Sequence, residues 1–423
     1  METFRVGIDF RGAQSGGGSG QRGIGRYTTD LVKGLLEFGP RIVRDELGKS
    51  LQVVLFHTAG APIPPEISGL VEVAPIYAPR WDSSKKPLWM RIPKLRSLPG
   101  LHQARLERTI EAQNRAMSEQ IATSKLDLMH LPTALDVGSY PSVGANCPVV
   151  MTVLDTIILS LPEVGINTYP KHLAWFYRHR ILNLAKATRL IAISEATKAD
   201  VVRQLGFAAD VVDVVYPAVS LNYGEDQGYP TLPEVQDHRY FLFCSVPDPH
   251  KNPRQVIEAF SKVGGESILV FVSPKDHPAS LQALQFANLV GVGGRFVITG
   301  FVEEDELHRL FRHTVALVSP SQMEGFGLPV AQAMRAGTPV ITSNRSAQAE
   351  LAQGVGVLVD SFNVDALTDA MKLCLEGYSK EKLQAGRDRA HQYDPEVVTR
   401  RLLATYFAAT GERRTSFRDS NPA

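Results

Sequence analysis

The segment from Ser319 to Glu350 constrains the fold most, because it joins a buried strand to a helix through an acidic turn with two glycines. The apolar run Val315 to Val318 predicts a parallel strand, and a helix is predicted to begin at Leu328, where Pro329 suits a first turn. The turn itself is Glu324 to Gly327. Its glycines allow close backbone approach, and the start of a helix favours an anion, so the segment predicts a diphosphate site. A tight turn without a ligand is the alternative that the glycines alone leave open.

Short apolar runs alternate with amphipathic stretches, which predicts strand-helix-strand units and parallel sheets. The first series of predicted strands is Val6–Phe10, Val53–His57, Leu126–Leu131, Val149–Asp155 and Leu190–Ser194. The second is Tyr240–Val246, Ile268–Ser273, Phe296–Gly300, Val315–Val318, Val340–Thr342 and Val357–Val359. The polar segment 222–238 predicts a linker, so two domains are expected, over residues 1–221 and 239–394. In doubly wound sheets a ligand binds beyond the carboxyl ends of the strands, which would place the site in the cleft between two facing domains.

Composition limits the classes of partner and compartment. The chain has 423 residues and a formal net charge of +1, which argues against a bulk nucleic-acid partner. Its three cysteines show no metal-ligand spacing, and no metal site is predicted. Widely spaced cysteines, no signal peptide and no apolar run of about 20 residues predict a cytoplasmic protein, either free or at the inner face of the membrane.

The turn and its flanks resemble the donor-sugar signature of glycosyltransferase family four, the retaining enzymes of the GT-B fold. The matching residues, in order, are Pro320, Ser321, Glu324, Gly325, Phe326, Gly327, Leu328, Pro329 and Gly337 to Val340. The resemblance implies an α/β architecture of two Rossmann-like domains and a last helix, about 395–409, that packs back on the first domain. The tail, 411–423, is polar and predicted to be disordered.

The same resemblance implies roles for individual residues. Glu324 would hold sugar hydroxyls, and the amides around Phe326 to Leu328 would face the donor diphosphate. Where the family has a second Glu that holds the ribose, this chain has Gln332, which can accept a hydroxyl hydrogen bond without the strength of a carboxylate.

Two further landmarks of the family are present in altered form. Relatives read Pro-Arg-Lys-Asn where this chain has His250 and Lys251 before Asn, and Lys251 suits the neutralisation of a leaving diphosphate. Relatives usually end a strand in His-Asp, and this chain has Leu154 and Asp155 there. Asp155 is interpreted either as a catalytic-site residue or as a cap at the strand end.

The first domain carries its own glycine loop, which includes Gly16 to Gly20 and leads into Gly23 to Tyr27 at the start of a predicted helix. The second part resembles the family loop that faces the donor. Gly25 would then allow close backbone approach and Arg26 would pair with a phosphate, although a flexible tether and a surface cap remain alternative interpretations.

Residues 80–115 mix basic and apolar side chains. The basic ones are Lys85, Lys86, Arg91, Lys94 and Arg96, and the apolar ones between them are Leu88, Trp89, Met90 and Ile92. Such a mixture can settle at an anionic bilayer surface, where a lipid-linked acceptor is found. The alternative is a loop that covers the core with its charges solvated.

The sequence therefore predicts a metal-independent retaining glycosyltransferase that needs no cofactor besides its nucleotide diphosphate sugar. It would transfer a hexose, by resemblance mannose from GDP-mannose, to a hydroxyl of a glycan or lipid-linked acceptor. Because Leu154, His250 and Gln332 all depart from the family pattern, a weakened binding or scaffold protein in a glycan assembly pathway is the alternative. An epimerase of the same fold has no supporting residue.

Overall fold

A computed structural model describes residues 1–14, 23–76, 115, 117–135, 146–161, 166–169, 171–219 and 228–412. The chain forms two compact units. The first comprises Met1–Ile193, Thr197–Ala218 and Pro395–Ala423, and the second comprises Ser194–Ala196 and Val219–Asp394. The glycine run 16–20, the basic and apolar stretch 80–115 except for its last residue, and residues 220–227 and 413–423 lie outside the described part.

In the described residues of the first unit, seven strands form one parallel sheet at its centre. In chain order its strands are β1 Thr3–Asp9, β2 Ser50–Thr58, β3 Glu72–Ile76, β4 Leu128–Leu131, β5 Val149–Val153, β6 Arg189–Ala192 and β7 Val212–Val214. The helices up to Ala218 whose full extent lies in the described residues are α1 Gly23–Glu37, α2 Gly39–Leu47, α3 Pro65–Ser68, α4 Ile157–Ser160, α5 Lys171–Leu184 and α6 Glu195–Leu205. The strand order is β3-β2-β1-β4-β5-β6-β7, which is the doubly wound arrangement that the alternating pattern predicts.

The two edge strands of this sheet were not among the predicted strands. β3 contains Pro75 and is exposed over its first residues, and β7 is only three residues long. An edge strand is packed less than a central one and tolerates proline, so it lacks the continuous apolar run by which the inner strands are recognised. The prediction over the central strands is confirmed, with boundaries that differ by a few residues.

A parallel sheet of six strands forms the centre of the second unit. Its strands are β8 Tyr240–Cys244, β9 Ile268–Val272, β10 Phe296–Ile298, β11 Ala316–Ser319, β12 Val340–Ser343 and β13 Val357–Val359. Its helices are α7 Pro253–Ser261, α8 Pro278–Leu289, α9 Glu304–His313, α10 Leu328–Ala336, α11 Ser346–Ala352, α12 Val364–Glu376 and α13 Lys380–Ala390. The four inner strands, β9, β8, β11 and β12, are buried on both faces, because helices cover both sides of a parallel sheet, whereas the edge strands β10 and β13 are partly exposed.

The last helix, α14 Pro395–Thr410, belongs to the first unit. Its buried side chains, including Leu403 and Phe407, join the core formed by β1 and the first helices. Tyr406 adds a polar contact, since its hydroxyl lies 2.6 Å from Nδ1 of His130 on β4.

His130 continues this contact towards the start of α1. Its Nε2 lies 2.8 Å from Oγ1 of Thr152, and the hydroxyl of Tyr27 lies 3.4 Å from the same oxygen. Burial lowers the pKa of His130 to about 3, so the ring is neutral at physiological pH and can donate from one nitrogen and accept at the other. A buried hydrogen-bonded chain therefore connects α14 to α1 through two strands.

No helix in the described ranges combines the length and the apolar character that a membrane span requires.

Candidate active site

The candidate site lies at the carboxyl end of the six-stranded sheet. Its strand order is β10-β9-β8-β11-β12-β13, so the chain runs outward from β8 in one direction and from β11 in the other. The boundary between β8 and β11 is the topological switch point, where ligands bind in open parallel sheets. Lys251 lies in the loop after β8, and Glu324 lies in the loop after β11. The structure thus places the two residues on neighbouring strand ends.

The turn from Glu324 to Gly327 has the conformation that its glycine requires. Gly327 has a φ of 99°, which a side chain strongly disfavours, and a Cβ there would lie 3.2 Å from Cγ of Gln348. Helix α10 follows at Leu328, as the sequence predicts. The amides of Val330 and Ala331 bond to the carbonyl oxygen of Gly327, at 2.9 and 3.2 Å. The proline at position 329 has no N–H, so the Leu328 amide is the first-turn donor that these bonds do not use.

The ring of Phe326, in the middle of the glycine turn, packs within the second unit. The ring is buried and meets Tyr393 edge to face, with 5.1 Å between the ring centroids. This apolar contact holds the middle of the turn against the last residues of the second unit. The aromatic residue therefore fixes the path of the backbone beside α10.

Glu324 and Lys251 form an ion pair. The distance from Nζ of Lys251 to Oε1 of Glu324 is 3.6 Å, and the side chains are 22% and 19% exposed. The hydroxyl of Ser321 donates to the same carboxylate oxygen at 2.9 Å. An ammonium has three N–H donors, so the contact with Glu324 leaves Lys251 able to bind a phosphate oxygen as well.

Asn252, which sequence reasoning did not assign to any role, connects three strand ends. Its Nδ2 donates to the carbonyl of Pro320 at 2.9 Å and to that of Ser361 at 3.3 Å, and its Oδ1 accepts from Nε2 of Gln322 at 3.0 Å. Its φ is 54°, a conformation that asparagine tolerates better than most residues. The signal in the sequence is an Asn directly between the candidate lysine and a helix-starting proline.

His250 is neutral in this environment. Burial lowers its pKa, and the charge of Lys251 lowers it further, against opposing effects of Glu324 and Asp248. Its carbonyl oxygen accepts a 2.7 Å hydrogen bond from the amide of Gln322, which ties the loop after β8 to the loop after β11. An arginine at this position would carry a permanent charge, so the site of this chain has one cation fewer than the family pattern.

Gln332 lies on α10, a little over one turn after the glycine turn in a helix of 3.6 residues per turn. Its side chain is 3% exposed. A carboxylate at this depth would lose most of its hydration, whereas an amide carries no net charge. Glutamine in place of the family glutamate therefore lowers the free-energy cost of burying the side chain at position 332.

The three candidate residues of the first unit lie around its own strand ends and helix start. Oδ1 of Asp155, just after β5, accepts a 3.0 Å hydrogen bond from the amide of Ile157, which is the capping interaction considered from the sequence. Gly25 is buried in the first turn of α1, and Nε of Arg26 lies 3.5 Å from a carboxylate oxygen of Asp30.

Comparison with known proteins gives two family matches. The family described as Glycosyltransferase Family 4 matches residues 70–223, and the family described as Glycosyl transferases group 1 matches residues 230–391. The chain is 25% identical over 268 residues to O-antigen chain mannosyltransferase B of Escherichia coli, covering 60% of this chain and 70% of that one. It is 24% identical over 319 residues to the putative glycosyltransferase YtcC of Bacillus subtilis, covering 69% and 74%.

A solved structure extends the likeness over nearly the whole chain. Sucrose-phosphate synthase from Thermosynechococcus elongatus superimposes with a TM-score of 0.69 at 17% identity, and the match covers 97% of this chain and all of that one. At that identity the match shows only that the two proteins share a fold. The two family matches lie side by side along the sequence, and the structural match agrees in fold; the chain therefore belongs, by its family matches, to glycosyltransferase family four, and it is a glycosyltransferase of the GT-B fold.

Proposed function

We propose that this glycosyltransferase transfers a hexose from a nucleotide diphosphate sugar to a hydroxyl of a glycan or lipid-linked acceptor, with retention of anomeric configuration and without a metal ion. The observation that carries the proposal is the Lys251–Glu324 pair, 3.6 Å apart at the switch point of the six-stranded sheet and next to the start of α10. One group suits a diphosphate and the other a sugar. One nucleotide diphosphate sugar bound at the switch point would present its phosphates to Lys251 and its hexose to Glu324.

The proposed roles follow from charge. As the bond between sugar and diphosphate breaks, negative charge grows on the leaving phosphate, and Lys251 and the Leu328 amide stabilise it. The lysine then supplies the neutralisation that a divalent cation supplies in many other phosphate sites, which supports a metal-independent reaction. Glu324 accepts hydrogen bonds from sugar hydroxyls and so orients the anomeric carbon.

Retention of configuration is proposed on the family pattern. In that pattern the departing phosphate oxygen takes the proton of the incoming hydroxyl on the same face of the sugar, so no enzymic nucleophile is required. Asp155, Gly25 and Arg26 remain proposed contributors from the first unit. The hydrogen bond that the amide of Ile157 donates to Oδ1 of Asp155 would then orient the carboxylate.

GDP-mannose is the proposed donor. The Pro-x-Lys-Asn arrangement that ends at Asn252 favours it, and the similar E. coli protein is a mannosyltransferase. The test is a panel of GDP-, UDP- and ADP-sugars, scored by the unfolding temperature and by hydrolysis of the donor. We expect GDP-mannose to raise the unfolding temperature most and to be hydrolysed. Binding without hydrolysis or transfer would favour the scaffold alternative, and a response only to UDP-sugars would reject mannose.

Changing Gln332 to glutamate tests whether this position contacts the ribose. A carboxylate accepts a stronger hydrogen bond than an amide, so we expect binding of the nucleoside diphosphate to improve by about 1 kcal/mol, or about fivefold in Kd, measured by calorimetry. The ligand-free variant should unfold at a lower temperature, because the new carboxylate is buried. Gln285→Glu, on the exposed face of α8, is the matched control. Equal or weaker nucleotide binding by Gln332→Glu would remove this residue from the ribose site.

Membrane contact is proposed for the basic stretch around Lys85 to Arg96. We expect the protein to sediment with anionic vesicles and to be released by salt, because exposed charges are screened beyond about 10 Å at 0.1 M. Sedimentation should be abolished when four basic residues are replaced with glutamine, namely Lys85, Lys86, Arg91 and Lys94. The control variant removes the same number of charges from the second unit by replacing four exposed lysines with glutamine, namely Lys262, Lys372, Lys380 and Lys382. A protein that does not sediment even at low salt would favour a soluble acceptor and remove the reason to propose membrane contact.

A further inference from the structure

Gln348 is a buried polar residue at the candidate site that the sequence did not single out. It lies on α11, its side chain is 1% exposed, and its Nε2 donates to Oγ of Ser319 at 2.9 Å and approaches Oγ of Ser321 at 3.5 Å. Its Oε1 is buried and receives no hydrogen bond from the described residues. A leucine would fill a similar volume without burying that oxygen, so this glutamine is unfavourable for stability alone.

The amide acts on Glu324 through one intermediate. Ser321 is buried, and its single hydroxyl proton points at Oε1 of Glu324 across 2.9 Å. A serine hydroxyl rotates to suit its partners, and an N–H donor on its oxygen restricts that rotation. Donation from Gln348 therefore helps to aim the Ser321 proton at the carboxylate.

Helix α11 also holds the backbone of the same turn. The amide of Glu324 donates to Oγ of Ser346 at 3.2 Å, and Ser346 has a φ of 53°, a strained value for serine. Gly327 packs closely on the side chain of Gln348. One short helix thus contacts both the main chain and, through Ser321, the side chain of the candidate sugar-binding residue.

The two oxygens of Glu324 are used unequally. Both Ser321 and Lys251 approach Oε1, and none of the hydrogen bonds within the described residues ends on Oε2. A carboxylate held through one oxygen presents the other in a set direction. We propose that Gln348 is a positioning residue, which, through Ser321, orients Glu324 so that Oε2 accepts a hydroxyl of the donor sugar. The proposal rests on the sugar-binding role of Glu324 proposed above.

The test is Gln348→Leu. We expect kcat for transfer to fall about tenfold, since a loosened carboxylate binds the sugar less well in the transition state. The unfolding temperature should stay the same or rise, because an unpaired buried oxygen is removed. If Gln348 only supported the fold, its replacement would lower the unfolding temperature. The matched control is Thr368→Val, which removes a buried hydroxyl from α12 in the same unit and should leave kcat unchanged.

Two further measurements decide how Gln348 acts. In the Glu324→Gln background, Gln348→Leu should cause little additional loss, because both changes affect one carboxylate, whereas independent effects would multiply and overturn the proposal. A crystal structure of Gln348→Leu needs no substrate and should show Glu324 displaced from Ser321. An unchanged contact overturns the positioning role whatever the donor is. If the wild-type protein transfers no sugar but the contact is lost in the variant, the proposed function fails and the positioning of Glu324 stands.

Discussion

Replacing Lys251 with alanine is expected to lower kcat about a hundredfold, the order observed when one donor to a developing oxyanion is removed. The physical reason is that the leaving diphosphate gains charge in the transition state, and the ammonium of Lys251, in the loop after β8, pairs with Glu324 at the candidate site. Steady-state kinetics with the donor identified by the panel measure the effect. The fold should survive, since a partly exposed ion pair contributes only about 1 kcal/mol or less.

A matched lysine in the same unit provides the control. Lys262 pairs with Asp365 at 2.8 Å on the surface, so Lys262→Ala removes an ion pair without touching the candidate site. Its kcat should equal that of the wild type. If Lys251→Ala is as active as this control, the lysine does not stabilise the leaving group.

Glu324→Gln is expected to produce a loss of similar size, about a hundredfold in kcat, through the sugar rather than the phosphate. The amide keeps the shape of the side chain and an oxygen for the Ser321 hydroxyl, but it loses the negative charge and the pairing with Lys251. Charge-assisted hydrogen bonds to sugar hydroxyls are stronger than neutral ones, and only the carboxylate makes them.

Comparing two ligands distinguishes whether Glu324 acts on the hexose or on the nucleotide of the donor. Calorimetry should show weaker binding of the nucleotide sugar and unchanged binding of the nucleoside diphosphate, which lacks the hexose. Asp365→Asn supplies the control, because it neutralises an acid in a surface ion pair of the same unit. Equal weakening of both ligands would assign Glu324 to the nucleotide instead.

Much of the site was recognisable in the sequence because its causes are local. A glycine at φ 99°, a proline in the first turn of α10 and an acidic residue before them act over a few positions, so the turn and the helix start at Leu328 were predicted where the structure has them. The buried strands were predictable for the same reason, since an apolar run bounded by polar residues is a local pattern.

Other features depended on residues far apart in the chain. The contact between Lys251 and Glu324 joins loops about seventy positions apart, a separation that the strand order β8-β11 closes. Asn252 and Gln348 acquire their roles by the same closure, because each follows another strand and donates a hydrogen bond at the end of β11. In the sequence they are single polar residues with no periodic signal.

The sequence by itself determined the α/β class, the two series of strands, the glycine turn and the residues of the family signature, because periodicity and backbone stereochemistry are properties of short segments. Only the tertiary structure decided which strands lie at the edges, which strand ends are neighbours and which buried amide orients the Glu324 carboxylate. Those properties come from the order in which strands pair, and that order is set by packing between distant segments of the chain.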